Sequence, residues 1–179
     1  MGFDVENPAH DIEFRNCTST RNRYTLSEYW NGDGFKAEDE TRDIRWIDSS
    51  ATDNADAGFD IKTIDAYLEG VTALRNTRNI RIWGSAVLKN IFAAESRQHG
   101  GVATEAGLWS VGMMECHHCA VKNNTIQIHA ERNNREATIR FFDSILSFDS
   151  GRQGETIRRE EGTRVDLIRT KVIEAAPLD

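Results

Sequence analysis

A repeat with a period of twenty-odd residues constrains this sequence more than any other feature. Similar segments begin at Gly34, Gly58 and Asn79, and segments of the same shape begin at Gly107 and Ala137. Each is a short run of apolar and aromatic residues, and a second such run follows most of them. A fixed period of this length with two or three short strands in each repeat is typical of a solenoid. The chain is therefore expected to fold by stacking copies of one coil.

The connections between these runs favour one kind of solenoid. They are short and polar, as at residues 31–34 and 53–56, and helical periodicity is scarce. Both prolines lie at the ends, so no coil interior lacks a backbone donor. Parallel strands joined without helices most simply wind as a right-handed parallel β-helix, an all-β fold. The alternative is an antiparallel sandwich, but only residues 31–34 contain the tight Asn-Gly and Asp-Gly pairs typical of hairpins.

Strand alternation predicts which residues face the interior of the coils. One inward column is predicted to contain Phe35, Phe59, Ile80, Leu108 and Thr138. A second inward column is predicted to contain Ala37, Ile61, Ile82, Ser110 and Arg140. The outward residues between them are predicted to be Lys36, Asp60, Arg81 and Trp109.

The whole chain, residues 1–179, is predicted to be a single domain of about six coils. The stretch 151–179 is more polar and is predicted to be a weak last coil or a cap. Insertions at residues 22–30 and 95–106 break the period, and in solenoids such insertions often wall a binding groove. The chain already resembles a strand by residues 10–14, with no capping element before it, which indicates a piece of a longer protein.

Composition excludes several classes of function. The net charge of −7 disfavours general nucleic-acid binding. No apolar run is long enough to span a membrane, and the N-terminus does not have the pattern of a signal peptide. Three cysteines do not make a disulfide framework. The segment 116–119, Cys-His-His-Cys, lacks the second ligand pair of a structural zinc site, so buried cysteines and surface histidines are expected there.

An acidic turn lies before each of the two Gly-Phe pairs, and these turns contain several of the oxygen-bearing residues that bind hard metal ions. If those pairs stack, Asp33 lies one coil step, about 4.8 Å, from Ala57, with Asp56 and Asp60 beside it. Three carboxylates so close repel one another unless a cation lies among them. Calcium binds such oxygen ligands, so these aspartates predict a calcium site. The alternative is that the Asn and Asp residues only form the turns of a solenoid.

The pair of segments NGDGFKAED and NADAGFDIKT resembles the corresponding coils of family 9 polysaccharide lyases. These are calcium-dependent pectate lyases built on a right-handed parallel β-helix of the pectate-lyase-like superfamily. The likeness covers about residues 28–92. In that family the two turns supply calcium-binding aspartates, and by position these fall on Asp33, Asp56 and Asp60. The fourth family aspartate falls on Ala57, so one ligand is missing here.

The resemblance also implies a catalytic position. The family carries its catalytic lysine one coil after the acidic turns, and Arg81 stands there in this chain. The implied reaction is β-elimination, in which calcium binds a uronate carboxylate, a base removes the C5 proton and the glycosidic oxygen leaves. Arginine is normally always protonated, although other calcium-dependent pectate lyases are assigned an arginine base. The alternatives are that Arg81 is a solvated outward side chain or holds an acidic sugar without reacting.

The resemblance and the residues together predict a protein that binds an acidic polysaccharide in a groove and cleaves it with calcium and Arg81. The predicted substrate-binding residues are Lys36, Lys62, Arg78 and Trp83, and Trp30 and Trp109 are further groove candidates. The resemblance implies an extracellular or periplasmic protein. The alternative is a non-catalytic carbohydrate-binding or structural module of a larger surface protein. Positions 57 and 81 distinguish the lyase from the non-catalytic module, because an intact lyase of this family would carry Asp and Lys where this chain has Ala57 and Arg81.

Overall fold

The computed structural model describes residues 1–134 and 136–174, and within them it contains β-strands and no α-helix. In chain order the strands are β1 (Phe3–Val5), β2 (His10–Arg15), β3 (Thr18–Thr20), β4 (Phe35–Ala37), β5 (Arg42–Ile47), β6 (Ser50–Thr52), β7 (Ala57–Ile61), β8 (Ala66–Glu69), β9 (Thr72–Leu74), β10 (Arg78–Ile82), β11 (Ser85–Lys89), β12 (Phe92–Ala94), β13 (Ala106–Ser110), β14 (Met113–His117), β15 (Ala120–Lys122), β16 (Ile126–Ala130), β17 (Thr138–Phe142), β18 (Ile145–Ser147), β19 (Glu155–Arg159), β20 (Arg164–Ile168) and β21 (Lys171–Ile173). The described part therefore offers no helix that could cross a membrane.

Every third strand belongs to the same sheet, which gives three parallel sheets of seven strands. The first sheet contains β1, β4, β7, β10, β13, β16 and β19; the second begins with β2 and the third with β3. Three consecutive strands form one coil, so the described residues form a parallel β-helix of seven coils, not an antiparallel sandwich. The sequence predicted about six. The polar stretch after Gly151 forms the seventh coil, β19–β21, and residues 175–179 of that predicted segment lie outside the described residues.

The first inward column follows the prediction over four coils and then departs from it. Its members in register are Phe3, Phe35, Phe59, Ile80, Leu108, Ile128 and Ile157. The predicted fifth member, Thr138, is wrong, because Thr138 lies in the second sheet beside Met113. The repeat pattern did not identify β16, because Gln127 precedes Ile128 where the earlier strands have Gly or Asn, and it assigned the following strand, β17, to the column instead.

The second inward column is corrected in the same way. Its members Ala37, Ile61, Ile82 and Ser110 are buried and lie in register as predicted. The next member is Ala130 and not Arg140. Arg140 lies on β17 in the second sheet, where its Nη1 is 3.2 Å from Glu115 Oε1. An arginine in the core would be a buried charge without a counter-ion, and the outer position avoids that cost.

Stacked phenylalanines fix the register of the first coils. The rings of Phe35 and Phe59 are parallel to within 8°, and their centroids are 4.9 Å apart. Phe3 stacks on Phe35 at 4.8 Å. Both distances match the strand spacing of about 4.8 Å, so each ring lies directly above the next. The acidic turns that precede Phe35 and Phe59 are therefore held one above the other.

A residue of positive φ bends every coil between the second and third sheets. These residues are Asn16, Asp48, Gly70, Asn90, His118, Asp143 and Arg169. Their φ angles lie in the left-handed region, which Gly, Asn and Asp adopt at the lowest cost. His118 is such a corner residue, and Cys116 and Cys119 on either side of it are buried with free thiols. The Cys-His-His-Cys segment is thus part of the coil geometry.

Buried amides form a ladder at the corner between the third and first sheets. Asn54 donates to Asn76 Oδ1 at 2.8 Å, and Asn76 donates to Asn79 Oδ1 at 3.0 Å. Asn79 donates to Asn124 Oδ1 at 2.9 Å, and Asn124 to Gln127 Oε1 at 2.7 Å. All five side chains are buried. Because each amide partners the next, the ladder holds the corner beside the first sheet without leaving its polar groups unsatisfied.

Candidate functional site

A groove of about 450 Å³ lies on the outer face of the first sheet. The outward residues Lys36, Asp60, Arg81 and Trp109 lie in register there, as the alternation predicted. The lining includes most residues that the sequence assigned to the site, namely Lys36, Lys62, Arg78, Arg81, Trp83, Asp33 and Asp60. Asp56 lies directly behind the wall, in contact with Arg81.

Arg81 lies among the three aspartates that were predicted to bind calcium. Its Nε donates to Asp60 Oδ1 at 2.7 Å. Its Nη2 is 3.0 Å from Asp56 Oδ2 and 3.6 Å from Asp33 Oδ1. Only 6% of the Arg81 side chain is exposed, so it is not a solvated outward residue. The structure therefore brings these four residues together, with the guanidinium at the centre of the carboxylates.

The surroundings of Arg81 keep it charged. Burial disfavours the charged guanidinium, but the attraction of Asp60 and Asp56 outweighs it and raises the pKa of Arg81 well above its ordinary value. A general base has to release its proton near the operating pH. The role of Arg81 as the base of an elimination stays a prediction, and this electrostatic setting argues against it.

One carboxylate oxygen of Asp33 is buried without a hydrogen-bond partner. This oxygen is Oδ2, whereas Oδ1 accepts the backbone N–H of Ala57 at 2.9 Å. Burial and the neighbouring Asp60 raise the pKa of Asp33 to about 7, although Arg81 acts in the opposite direction. A carboxyl group that titrates near neutrality on a groove wall can give or take a proton there.

Tyr29 closes the cluster from the side of the first insertion. Its hydroxyl accepts hydrogen bonds from Arg81 Nη1 at 2.6 Å and Arg78 Nη1 at 3.0 Å, and donates to Asp56 Oδ2 at 2.8 Å. Burial is the main cause that raises the pKa of Tyr29. The sequence analysis did not assign Tyr29 to the site, and its position in the insertion before the acidic turn was the available signal.

The two insertions pack against each other. A Cβ atom on Gly100 would lie 2.6 Å from the ring of Trp30, and Gly100 has a φ of 130°. Arg23 Nη2 lies 3.1 Å from His99 Nδ1 across the same contact. Trp30, predicted as a groove residue, thus packs between the insertions and is not among the residues that line the groove.

The indole rings of Trp83 and Trp109 form the apolar part of the groove. Trp83 Nε1 donates to Asp60 Oδ1 at 2.7 Å, and Trp109 Nε1 donates to Glu131 Oε2 at 2.8 Å. The ring centroids are 4.8 Å apart in an edge-to-face arrangement. The Arg78 guanidinium lies over Trp109, 5.2 Å from the ring centroid. These contacts fix both rings beside the charged cluster.

The two lysines of the groove already have carboxylate partners. Lys36 Nζ lies 2.6 Å from Glu38, 3.1 Å from Glu6 and 3.2 Å from Asp4. Lys62 Nζ lies 2.6 Å from Glu38. Burial alone would lower the pKa of Lys36, but hydrogen bonds to these acids raise it. Both lysines therefore serve first to neutralise the acidic wall.

No protein-family model matches the chain, and no curated protein matches it in sequence. Two solved structures do match in fold. A crystal structure of the T265N mutant of the periplasmic alginate epimerase AlgG superimposes with a TM-score of 0.74 at 9% identity, over 96% of this chain and 42% of that one. Pectate lyase Pel9A superimposes with a TM-score of 0.61 at 15% identity, over 98% of this chain and 50% of that one. The fold is a right-handed parallel β-helix of the pectate lyase type. This β-helix spans half or less of the length of these two structures.

The acidic cluster of the β-helix does not fit a calcium ion in this arrangement. Calcium takes six to eight oxygen ligands at about 2.3–2.6 Å, but the guanidinium of Arg81 contacts all three carboxylates. Ala57 supplies no side-chain oxygen in place of the missing fourth aspartate. Over residues 1–134 and 136–174, no group of three or more His, Cys, Asp or Glu side chains is arranged to hold a metal. The calcium site therefore stays a prediction that this geometry does not support.

Proposed function

We propose that this β-helix binds an acidic polysaccharide in the groove of its first sheet. The observation that carries the proposal is a set of buried polar atoms without partners on the groove wall: Asn31 Oδ1, Asp33 Oδ2 and Arg78 Nε. Buried polar atoms in proteins are nearly always hydrogen-bonded. All three residues line the same groove, so a ligand bound there is suited to supply the missing hydrogen-bond partners.

The chemistry of these atoms suits a sugar. Asn31 Oδ1 and Asp33 Oδ2 accept hydrogen bonds, whereas Arg78 Nε donates one. Sugar hydroxyls can satisfy both kinds of atom, and the carboxylate of a uronate can accept from Arg78. The partly exposed ring of Trp83 offers an apolar face to a pyranose ring. Polar atoms of both kinds beside an aromatic ring therefore favour a carbohydrate over an apolar ligand.

The structural neighbours support the same class of ligand. They are an alginate epimerase and a pectate lyase, and alginate and pectate are both polymers of uronic acids. Because identity is low and this chain spans half or less of each, the likeness supports the proposal and does not carry it. An extracellular or periplasmic location is proposed on the same ground, since one neighbour is described as periplasmic.

Catalysis in the same groove is the second candidate function, and the unpartnered oxygen of Asp33 favours it. In this scheme Asp33 Oδ2 takes the C5 proton of a bound uronate, and the electron pair forms a C4–C5 double bond. The bond between C4 and the glycosidic oxygen breaks, and that oxygen leaves with its electron pair and takes a proton from solvent water. Asp33, with a pKa of about 7, is better suited to this step than Arg81.

The binding proposal is tested by calorimetry with polygalacturonate and alginate, using neutral dextran as comparison and a chelator to remove divalent ions. We expect binding of the polyuronates and not of dextran. Arg78→Ala should weaken binding about 10- to 100-fold, because a hydrogen bond to a charged group contributes about 1.5–3 kcal/mol. Arg140→Ala is the matched control, since Arg140 lies on the second sheet and pairs with Glu115 outside the groove.

Two results decide against these functions. If neither polyuronate binds, or if Arg78→Ala and Arg140→Ala weaken binding equally, the groove is not the binding site and a structural module is favoured. Catalysis is followed as the rise in ultraviolet absorbance of the unsaturated product. Asp33→Asn should abolish that rise, and a wild-type protein that binds without forming product is a binding module.

A further inference from the structure

We infer that the guanidinium of Arg81 is the resident cation of the acidic cluster and that this cluster works without calcium. Arg81 directs all three of its nitrogens at partners within the cluster. Nε contacts Asp60, Nη2 contacts Asp56 and Asp33, and Nη1 donates to Tyr29. A planar guanidinium with five N–H groups is suited to several carboxylates at once.

A second guanidinium group lies at the same cluster. Arg78 Nη1 lies 3.8 Å from Asp56 Oδ1 and shares the Tyr29 hydroxyl with Arg81. Two guanidinium groups carry the same formal charge as one calcium ion. A calcium ion added to this arrangement would lie beside a guanidinium that cannot lose its proton. The like charges would repel one another where the dielectric constant is low.

The backbone holds the cation in place. Arg81 on β10 is in direct register with Asp60 on β7, so the strand pairing sets the distance between them. The Arg81 side chain is 6% exposed, and those of Asp33, Asp56 and Asp60 are no more than 4% exposed. Moving Arg81 out would leave three buried carboxylates without their main counter-ion, which is strongly unfavourable. The cluster is therefore organised by the fold before any ligand arrives.

This arrangement changes how an acidic ligand would be recognised, a step that rests on the proposed function. Without a metal ion, the carboxylate of a sugar has to meet a cation of the protein. Arg78 has a buried Nε without a partner, and its ion pair with Asp56 is long, at 3.8 Å. Arg81, Lys36 and Lys62 each lie within 2.7 Å of a carboxylate oxygen. Arg78 is therefore the cation that would bind the carboxylate, and Arg81 would act behind it as the counter-ion of the cluster.

The inference is tested by metal binding and by stability, which do not depend on any polysaccharide. Calorimetry and thermal unfolding are run on the wild type with calcium at about 5 mM, above the dissociation constants of roughly 10⁻⁴–10⁻³ M typical of weak extracellular calcium modules. We expect no binding and no shift in Tm. Calcium binding to the wild type that Asp56→Asn removes would overturn the inference.

The role of Arg81 itself is tested with Arg81→Gln, which keeps a polar amide but removes the charge. We expect the Tm to fall by about 5 °C or more. The double variant Arg81→Gln/Asp60→Asn should regain part of that loss, because it removes one uncompensated charge, and it provides a measurement if the single variant does not fold. Arg169→Ala is the matched control, because Arg169 pairs with Asp143 at the surface, and it should change the Tm little. An unchanged Tm in Arg81→Gln, or a double variant no more stable than the single one, contradicts the inference.

Discussion

The hydroxyl of Tyr29 lies 2.6 Å from Nη1 of Arg81, and this contact joins an inserted loop to the centre of the groove. Tyr29 lies outside the repeat, whereas Arg81 lies on β10 in the fourth coil. The same hydroxyl contacts Arg78 and Asp56. One phenol group thus satisfies two guanidinium groups and one carboxylate, and it shields the charged cluster from water.

Tyr29→Phe should destabilise the protein because it removes this hydroxyl and leaves buried charged groups without a partner. We expect a loss of about 1–3 kcal/mol in the free energy of unfolding, measured by urea denaturation. Tyr24→Phe makes the same chemical change at a tyrosine that is half exposed and should change stability little. Equal effects of the two variants would mean that the Tyr29 hydroxyl does not stabilise the cluster.

Phe59→Ala should cost about 3–5 kcal/mol in the free energy of unfolding, since it removes a fully buried ring from the phenylalanine stack. Phe92→Ala serves as the comparison, because Phe92 is 39% exposed and less of its surface is removed from water. Urea denaturation of both variants measures the difference. A loss at Phe59 no larger than that at Phe92 would contradict the packing of the stack.

Asp33 should make the stability depend on pH. Its pKa is about 7 in the folded protein and 3.8 in the absence of burial, so between these values the folded state holds a proton that the unfolded state has lost. The stability contributed by this group is fully present below about pH 4 and is lost as the pH rises to about 7.

Asp33→Asn should remove this part of the pH dependence. The free energy of unfolding of both proteins is measured between pH 4 and pH 8. The difference between wild type and variant should change by at most a few kcal/mol over that interval, since one pKa unit is about 1.4 kcal/mol. Asparagine keeps the oxygen that accepts the Ala57 N–H, so the turn is preserved. Parallel curves for the two proteins would show that Asp33 does not titrate in this range.

Asn76→Ala should break the amide ladder. Asn76 Oδ1 accepts hydrogen bonds from the backbone N–H and the side-chain amide of Asn54, both buried. Leaving two buried donors unpaired should cost about 2–5 kcal/mol in the free energy of unfolding. Asn133→Ala, at an exposed asparagine, is the control. A cost below about 1 kcal/mol would mean that water replaces Asn76 in the ladder.

The fold could be predicted because its determinant is periodic. Phe35, Phe59, Ile80 and Leu108 recur at the same place in each coil, and this spacing gave their register before the structure did. The prediction failed at Ile128 because Gln127 precedes it where Gly or Asn precedes the earlier members of the column, and because a longer connection follows β16. Periodicity identifies a coil only where the sequence keeps both the spacing and the type of residue.

The site could be predicted only in part. The spacing placed Arg81 and the aspartates on neighbouring coils, and the structure brings them together. The spacing could not show that the guanidinium lies among the carboxylates, because that position depends on side-chain conformations within one coil step. Tyr29 was missed for another reason, since an insertion has no repeat from which its position could be derived.

The charged cluster draws its residues from the second, third and fourth coils, with Asp33, Asp60 and Arg81 each carried at a different level of the stack. A one-residue insertion or deletion within β7 or β10 would shift one level past the others and separate the charges, whereas the insertion at residues 22–30, outside the strands, leaves Phe35 in register with Phe59. Substitutions of exposed residues on the second and third sheets leave this alignment untouched. Exposed residues on the second and third sheets can therefore change in type, whereas the strands of the first sheet that carry the cluster cannot change in length.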